Sequence, residues 1–179
     1  GIGDFADLLS LTEQAASHKL DYILLNPLHL LFSEQPERAS PYSPNNRALL
    51  NPLYISIDLC DDSINNPNIT AYLQSFAYYL QWQAYVQLKL CQTTAREQGM
   101  SIGLINDLAV GCAGDGSEFL NQQSLFTDSA YVGAPPDPWA EHGQNWGLPA
   151  LNPIKLSDNN FSYYRALIRA NMENVGGLR

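Results

Sequence analysis

Residues 100–107 have the sequence Met-Ser-Ile-Gly-Leu-Ile-Asn-Asp, in which a short apolar run over Met100–Ile105 ends in two polar side chains. Such a run after Gly99 is typical of a strand that is buried in a parallel sheet. The preceding residues, Ala71–Gln98, contain no Gly or Pro and predict a long helix that Gly99 ends. A helix followed closely by a strand is half of a β/α unit, so we expect an α/β fold.

The same order occurs nearer both termini. Asp4 is a candidate N-cap for a helix over Asp4–His18, and the apolar run Leu20–Leu25 predicts another buried parallel strand. An amphipathic helix is predicted over Phe161–Asn174, and Val175–Arg179 has the pattern of the start of a strand. A closed (β/α)8 barrel takes about 250 residues. We therefore interpret the chain as a piece of a larger domain.

Two proline-rich segments separate these units. Residues 33–52 contain four prolines and predict a long loop after a buried strand, where α/β barrels place binding residues. Residues 131–153 predict a second such loop, which holds Trp139, His142 and Trp146. Residues 54–59 are predicted to be extended, and residues 61–68 are polar and turn-rich.

The charge and cysteine content exclude several function classes. With 9 basic and 18 acidic residues the net charge is −9, which repels phosphate backbones and argues against a nucleic-acid partner. The apolar runs are far shorter than the roughly 20 residues that span a bilayer. The 3 cysteines are widely separated, without CxxC spacing, which argues against disulfides or zinc and for a reducing, cytoplasmic compartment.

The polar composition favours a carbohydrate ligand. The chain has 15 Asn and 11 Gln beside 10 Tyr and 3 Trp, and sugars bind to aromatic faces and neutral amides. Tyr42 lies between prolines that would stiffen a stacking platform, although a plain turn residue is the alternative. Trp146 is flanked by glycines, with a buried core position as its alternative. Asp107 closes a strand where barrels keep functional side chains, and its alternative is a cap.

Several stretches, taken together and in order, resemble the amylomaltase family, the bacterial 4-α-glucanotransferases of the α-amylase clan. The resemblance implies that the chain covers about strands 2 to early 4 of a (β/α)8 barrel, as a single region over residues 1–179. The matching stretches are Gly1-Ile-Gly-Asp-Phe5, Leu25-Asn-Pro-Leu-His29, Ala39-Ser-Pro-Tyr-Ser-Pro44, Asn106-Asp-Leu-Ala-Val-Gly111, Val132-Gly-Ala-Pro-Pro-Asp137, Gly143-Gln-Asn-Trp-Gly-Leu-Pro149 and Leu167-Ile-Arg-Ala-Asn-Met172 with Gly177-Leu-Arg179.

The resemblance also implies roles for individual residues. Tyr42 would stack on the sugar at the cleavage subsite, and Asp107 would organise that subsite. Trp146 and its neighbours would form a mobile loop that covers the cleft and favours sugar over water as the acceptor. Arg179 would position the nucleophile and contact the donor sugar. The substrate-binding residues implied are Tyr42, Asp107, Trp146, Arg179, Asn145, Pro136 and Asp137.

The family's reacting carboxylates have no counterparts in the chain. In the family the nucleophilic aspartate comes just after the position of Arg179, and the acid/base glutamate comes later. We therefore expect these residues alone to be inactive. The family also carries a longer helical stretch where this sequence runs from Cys60 to Ala71, so residues 61–70 are interpreted as a shortened or missing insertion.

The activity implied is the transfer of an α-1,4-glucan segment to the 4-hydroxyl of another maltooligosaccharide or of glucose, by retaining double displacement. Its partners would be maltooligosaccharides, α-1,4-glucans and glucose, in maltose and glycogen metabolism, with no cofactor and no metal. Two alternatives remain, a non-catalytic glucan-binding protein that has lost the carboxylates and a hydrolase of the same clan. The residues that follow Arg179 would distinguish the enzyme from the binding protein.

Overall fold

A computed structural model describes residues 2–60 and 76–179. The predictions for residues 61–68, for the shortened insertion at 61–70 and for the start of the long helix lie outside this part. The elements, in chain order, are α1 (Phe5–Ser17), β1 (Tyr22–Leu24), β2 (His29–Leu30), β3 (Asn46–Leu50), α2 (Phe76–Glu97), β4 (Gly103–Asn106), α3 (Ser117–Asn121), β5 (Phe126–Ala134), β6 (Gln144–Leu151), α4 (Pro153–Asp158), α5 (Ser162–Met172) and β7 (Gly177–Leu178).

The chain divides into two compact units. The first, which we call the sheet unit, comprises Gly1–Leu28, Leu50–Asp107 and Asn171–Arg179. The second, the hairpin unit, comprises His29–Leu49 and Leu108–Ala170.

The sheet unit contains a three-stranded parallel sheet with the order β1-β4-β7. Ile23 lies opposite Leu104, and Asn106 lies opposite Leu178. The predicted parallel strands, including the third one near the C-terminus, are confirmed. The strands are shorter than the apolar runs that predict them.

Helices α1 and α2 contact each other and form the core of the sheet unit with β4. Asp4 caps α1 because its carboxylate accepts the N–H groups of Ala6 and Asp7, while the Asp7 carboxylate accepts the N–H of Asp4. The predicted helix over Asp4–His18 is confirmed within one residue at each end. The buried core consists of Phe5, Ala84, Leu88, Cys91 and Leu104.

The buried face of α2 carries glutamines that bind backbone groups. Gln87 accepts the Ser56 N–H at 2.8 Å and donates to the Ser56 carbonyl at 2.9 Å. Gln81 pairs in the same way with Leu50, and Gln92 bonds to the Leu104 N–H and the Ile102 carbonyl. These side-chain amides satisfy backbone N–H and carbonyl groups in the way that a neighbouring strand would. Part of the glutamine content that suggests sugar binding therefore has a structural role instead.

Within the described residues, β1 is less buried than its apolar run predicts. Ile23 packs against the core, whereas Tyr22 and Leu24 are 51% and 45% exposed. Successive side chains of a strand point to opposite faces of the sheet. One face of β1 is therefore covered by helices, and the opposite face has little cover from the described residues.

Two segments predicted as loops contain strands. Residues 46–50 form β3, which pairs with β2, and residues 131–153 overlap the antiparallel pair β5 and β6. Pro149 and Gly147 lie within β6, and the register shifts between Val132 and Gly133, so the local pattern resembles a loop. Residues 54–59 are predicted to be extended, but only Ile55 and Ser56 have extended backbone, and they lie between two 3-10 turns, Pro52–Tyr54 and Ile57–Leu59.

A second apolar cluster lies in the hairpin unit. Its buried members are Cys112, Leu125, Phe126 and Leu156. Phe119 meets Phe126 edge to face, with ring centroids 5.1 Å apart. This cluster anchors the start of β5, whereas the residues farther along the hairpin are mostly exposed.

Candidate functional site

Asp107 and Arg179 form a bidentate ion pair in the sheet unit. The Arg179 Nε donates to Asp107 Oδ1 at 2.9 Å, and Nη2 donates to Oδ2 at 2.5 Å. The Asp107 side chain is 6% exposed and the Arg179 side chain 57% exposed. The pair therefore presents a guanidinium to solvent and holds a carboxylate beneath it.

The register of the parallel sheet explains why these two residues meet. Each directly follows a strand, Asp107 after β4 and Arg179 after β7, and Asn106 lies opposite Leu178. The Arg179 N–H also donates to the Asn106 carbonyl at 2.8 Å. Carboxyl ends of parallel strands meet at one edge of a sheet, where barrels place functional residues.

The hairpin unit contains a cavity of about 400 Å³, which we call the aromatic pocket. Tyr42 and Trp146 both line it, and they are 46% and 47% exposed. Apolar side chains and hydroxyls share its wall, and none of the described residues that line it is charged. The lining residues are Ser40, Tyr42, Ser43, Val110, Trp146 and Leu148.

The turn that carries Tyr42 is held from behind by Pro44. Pro44 is buried, and its carbonyl accepts the N–H of Ala113 at 2.9 Å. The Ser43 N–H closes the turn on the Ser40 carbonyl at 3.3 Å. The prolines thus fix a turn, which agrees with the alternative that Tyr42 is a turn residue. The same turn presents the half-exposed aromatic ring of Tyr42.

Trp146 lies on strand β6 and not in the loop predicted from residues 131–153. Its indole Nε1 donates to Gln144 Oε1 at 2.9 Å, and the ring is too exposed to be a core residue. Gly147 has a φ of +70°, a conformation that glycine adopts without strain. The backbone therefore turns directly after Trp146 and leaves its ring at the pocket.

Three other predicted residues do not line the aromatic pocket. Pro136 and Asp137 are exposed near the connection between β5 and β6. The Asp137 carboxylate accepts the N–H groups of Trp139 and Ala140, at 2.8 and 2.7 Å. Asn145 Oδ1 accepts the Gly147 N–H at 2.9 Å. In this structure Asp137 and Asn145 stabilise turns.

A buried ion pair that the sequence does not indicate lies in the same unit. The Arg47 Nη2 donates to Glu118 Oε1 at 2.6 Å, and the side chains are 2% and 3% exposed. Tyr163 donates its hydroxyl to the same carboxylate. Burial opposes the charge of Glu118, but the hydrogen bonds and charge of Arg47 outweigh it and hold the pKa of Glu118 below its ordinary value. Arg47 and Glu118 are 71 residues apart, so no local pattern links them.

Metal and thiol chemistry have little support among the described residues. No group of three or more His, Cys, Asp or Glu side chains there could hold a metal ion. Burial raises the pKa of Cys91 and of Cys112 to about 12, which keeps both thiols protonated at neutral pH. Over the same residues, no helix is both long and apolar enough to cross a bilayer.

The sequence profile of the 4-alpha-glucanotransferase family, glycoside hydrolase family 77, matches residues 1–74 and 70–179. The chain belongs to this family. The family's curated 4-alpha-glucanotransferase from Haemophilus influenzae is 26% identical over 294 residues, and the match covers 100% of this chain and 42% of that protein. The chain therefore spans about two fifths of the length of this relative.

Solved structures of the family have the same fold. The amylomaltase of Corynebacterium glutamicum superposes with a TM-score of 0.87 at 26% identity, over 100% of this chain and 38% of the other. The amylomaltase of Streptococcus agalactiae, in complex with acarbose, superposes with a TM-score of 0.77 at 15% identity, over 100% of this chain and 55% of the other. The expected fold class is confirmed, because the chain is an α/β piece of the (β/α)8 barrel that these amylomaltases contain.

Proposed function

We propose that this chain contributes the sugar-binding part of a 4-α-glucanotransferase that acts on maltooligosaccharides. The aromatic pocket carries the proposal, since Tyr42 and Trp146 line one cavity beside the hydroxyls of Ser40 and Ser43. Aromatic faces stack on the C–H faces of sugar rings, and hydroxyls exchange hydrogen bonds with sugar hydroxyls. A lining without charged residues favours neutral sugars, such as α-1,4-glucans and glucose.

The proposed reaction is a retaining double displacement. A carboxylate attacks the anomeric carbon while a protonated carboxyl group donates its proton to the leaving glucan, and the 4-hydroxyl of a second glucan then opens the covalent intermediate. The attacking carboxylate is proposed to follow Arg179, and Arg179 would hold it in place. In this proposal Asp107 accepts sugar hydroxyls with the lone pairs that Arg179 leaves available.

The tip of the β5–β6 hairpin would cover the bound glucan. Pro136 and Asp137 lie there in the exposed connection, and Asn145 supports the turn beside Trp146. Exclusion of water from this position would favour a sugar hydroxyl as the acceptor. This assignment rests on the family resemblance of the residues and on their place in the hairpin.

Residues 61–70 are proposed to be a shortened form of a longer insertion. The match to the Haemophilus influenzae relative extends over 294 residues for the 179 of this chain, which supports extra residues in the relative. The family profile also matches in two parts that meet at residues 70–74. The enzyme is further proposed to be cytoplasmic and to work without an organic cofactor or metal.

The first experiment incubates maltotriose with a protein that continues through the residues after Arg179, and it measures both binding and products. Glucose together with maltopentaose would support the transferase, and reducing sugar without chain redistribution would support a hydrolase of the same clan. Binding without any product would support the alternative of a glucan-binding protein.

Tyr42 provides the matched test of the pocket. Tyr42→Ala is expected to weaken maltotriose binding by about fivefold, because an aromatic contact contributes about 1 kcal/mol. Tyr42→Phe keeps the ring and is expected to stay within about threefold of the unmodified protein. Calorimetric titration measures both, and equal affinities for the alanine variant and the unmodified protein would contradict the proposed site.

A further inference from the structure

Both backbone polar groups of Ala109 are held by buried side chains. The Ala109 N–H donates to His29 Nε2 at 3.1 Å, and the Ala109 carbonyl accepts from Arg47 Nη1 at 3.0 Å. His29, Arg47 and Ala109 are each only 2% exposed. The next residue, Val110, is exposed and lines the aromatic pocket. These two hydrogen bonds therefore fix the backbone that presents Val110.

The Arg47 side chain is itself fixed by Glu118. Nε and Nη2 of Arg47 both donate to the carboxylate, at 3.0 and 2.6 Å to Oε1, and the Arg47 backbone N–H donates to Oε2 at 2.7 Å. A guanidinium is planar and presents its donors in a rigid fork. With Nε and Nη2 bound to Glu118, the plane of the guanidinium is set, and Nη1 meets the Ala109 carbonyl.

The same region holds the segment that carries Tyr42. The Glu118 N–H donates to the Asn45 carbonyl at 3.2 Å, and the Ser117 N–H and hydroxyl donate to Asn45 Oδ1 at 3.0 and 2.6 Å. A Cβ on Gly116 would lie 2.4 Å from the Asn45 carbonyl oxygen, so only glycine permits this approach. The backbone of residues 44–47 and that of residues 109–118 are thus held against each other.

We infer that Arg47 is a positioning residue for glucan binding, which sets the separation between Val110 and Tyr42 across the aromatic pocket without touching the ligand. The inference rests on the proposed function of that pocket. One buried pair connects the two walls, because Arg47 belongs to the strand that follows Tyr42 and bonds to the residue that precedes Val110. A shift of Ala109 would widen or narrow the space for a sugar ring.

The test compares Arg47→Lys with Tyr163→Phe. A lysine keeps the charge beside Glu118, but its single nitrogen cannot serve both oxygens of the carboxylate and the Ala109 carbonyl. Tyr163→Phe removes another hydrogen bond from Glu118 and leaves the Arg47 contact with Ala109 in place. Maltotriose affinity is measured by calorimetry, and stability is measured as the urea midpoint of unfolding.

We expect both variants to lower the urea midpoint, but only Arg47→Lys to weaken maltotriose binding, by about tenfold. Equal affinities for Arg47→Lys and the unmodified protein would overturn the inference and leave the proposed pocket intact. Equal loss of affinity in both variants would also overturn it, because the cluster would then act only through stability. Failure of the unmodified protein to bind any maltooligosaccharide would instead overturn the proposed function.

Substitutions of His29 provide a second test if Arg47→Lys does not fold, because His29 binds the Ala109 N–H whereas Arg47 binds the Ala109 carbonyl. His29→Gln offers a neutral acceptor oxygen to the Ala109 N–H, and His29→Met offers only a weakly accepting thioether sulfur. We expect His29→Met to weaken maltotriose binding and His29→Gln to retain most of it. Retained affinity in a folded His29→Met protein would count against the positioning of Val110 through Ala109.

Discussion

Glu118 keeps its charge in a place that water does not reach. Its carboxylate receives the backbone N–H of Arg47, two guanidinium donors and the hydroxyl of Tyr163. Removing one partner of such a pair leaves an uncompensated buried charge, which costs far more than the net stabilisation by the intact pair. Arg47 and Glu118 are therefore sensitive positions although neither lines the pocket.

The stability that Glu118 provides is expected to depend on pH. Its pKa is lower in the folded protein than the ordinary value of 4.5, so its contribution is fully present above that value and is lost as the pH falls through the folded-state pKa. Glu118→Gln is expected to reduce the free energy of unfolding by about 3 kcal/mol at neutral pH and by clearly less near about pH 3.5.

Urea unfolding at the two pH values measures this difference. Glu141→Gln is the control, because Glu141 is exposed and its replacement should change little at either pH. A difference between Glu118→Gln and the unmodified protein that stays constant into the acid range would contradict the interpretation.

Among the elements, α2 shows how a helix with a partly polar face can be buried. Gln83 and Gln87 lie on its buried face beside Ala84, Leu88 and Cys91. Ser56 lies in a segment outside any strand, so the amide of Gln87 provides the donor and acceptor that a neighbouring strand would otherwise supply. This explains a helix whose buried positions are not a simple apolar stripe.

Gln87→Met is expected to destabilise the protein by about 2 to 4 kcal/mol, because it leaves the buried N–H and carbonyl of Ser56 unsatisfied. Lys89→Met is the matched control on the exposed face of the same helix. The two substitutions change helix propensity by similar small amounts. Thermal unfolding distinguishes them, and equal melting temperatures would show that the amide contributes nothing.

The elements that the sequence predicts well are those specified by local pattern. The Asp4 cap and the stop at Gly99 are local signals, and both helix ends lie where they are expected. Strand β6 escapes prediction because Gly147 and Pro149 interrupt its pattern, while pairing with β5 maintains it as a strand. Local pattern cannot anticipate pairing partners that are distant in the chain.

The candidate site is predictable to a similar degree. Prolines around Tyr42 and glycines around Trp146 mark two residues that share a pocket. The pair of Asp107 with Arg179 depends on the register between two strands, which no local feature of either strand specifies. The contact of Arg47 with Glu118 joins positions 71 residues apart and cannot be found from spacing.

At the scale of the whole molecule, we expect glucan binding without the transfer reaction. A retaining mechanism needs two carboxyl groups about 5 Å apart. The pocket in the described residues has no carboxylate in its lining, and both oxygens of Asp107 are engaged by Arg179. A sample with a verified mass of 19.8 kDa is therefore expected to bind maltotriose without converting it.

Chromatography of the maltooligosaccharides after incubation measures this. The control is a protein that continues through the residues after Arg179, which is expected to form glucose and maltopentaose. Chain redistribution by the 19.8 kDa sample itself would refute the assignment of the reacting groups.

Strand β1 also has a consequence for handling the protein. Among the described residues it lies at the edge of its sheet, with Tyr22 and Leu24 exposed on one face. A row of backbone donors and acceptors beside apolar side chains is a template onto which a strand of a second molecule can add, and such addition leads to aggregation. The net charge of −9 opposes it by mutual repulsion, and added salt screens that repulsion. Concentrated samples should therefore aggregate least at low ionic strength.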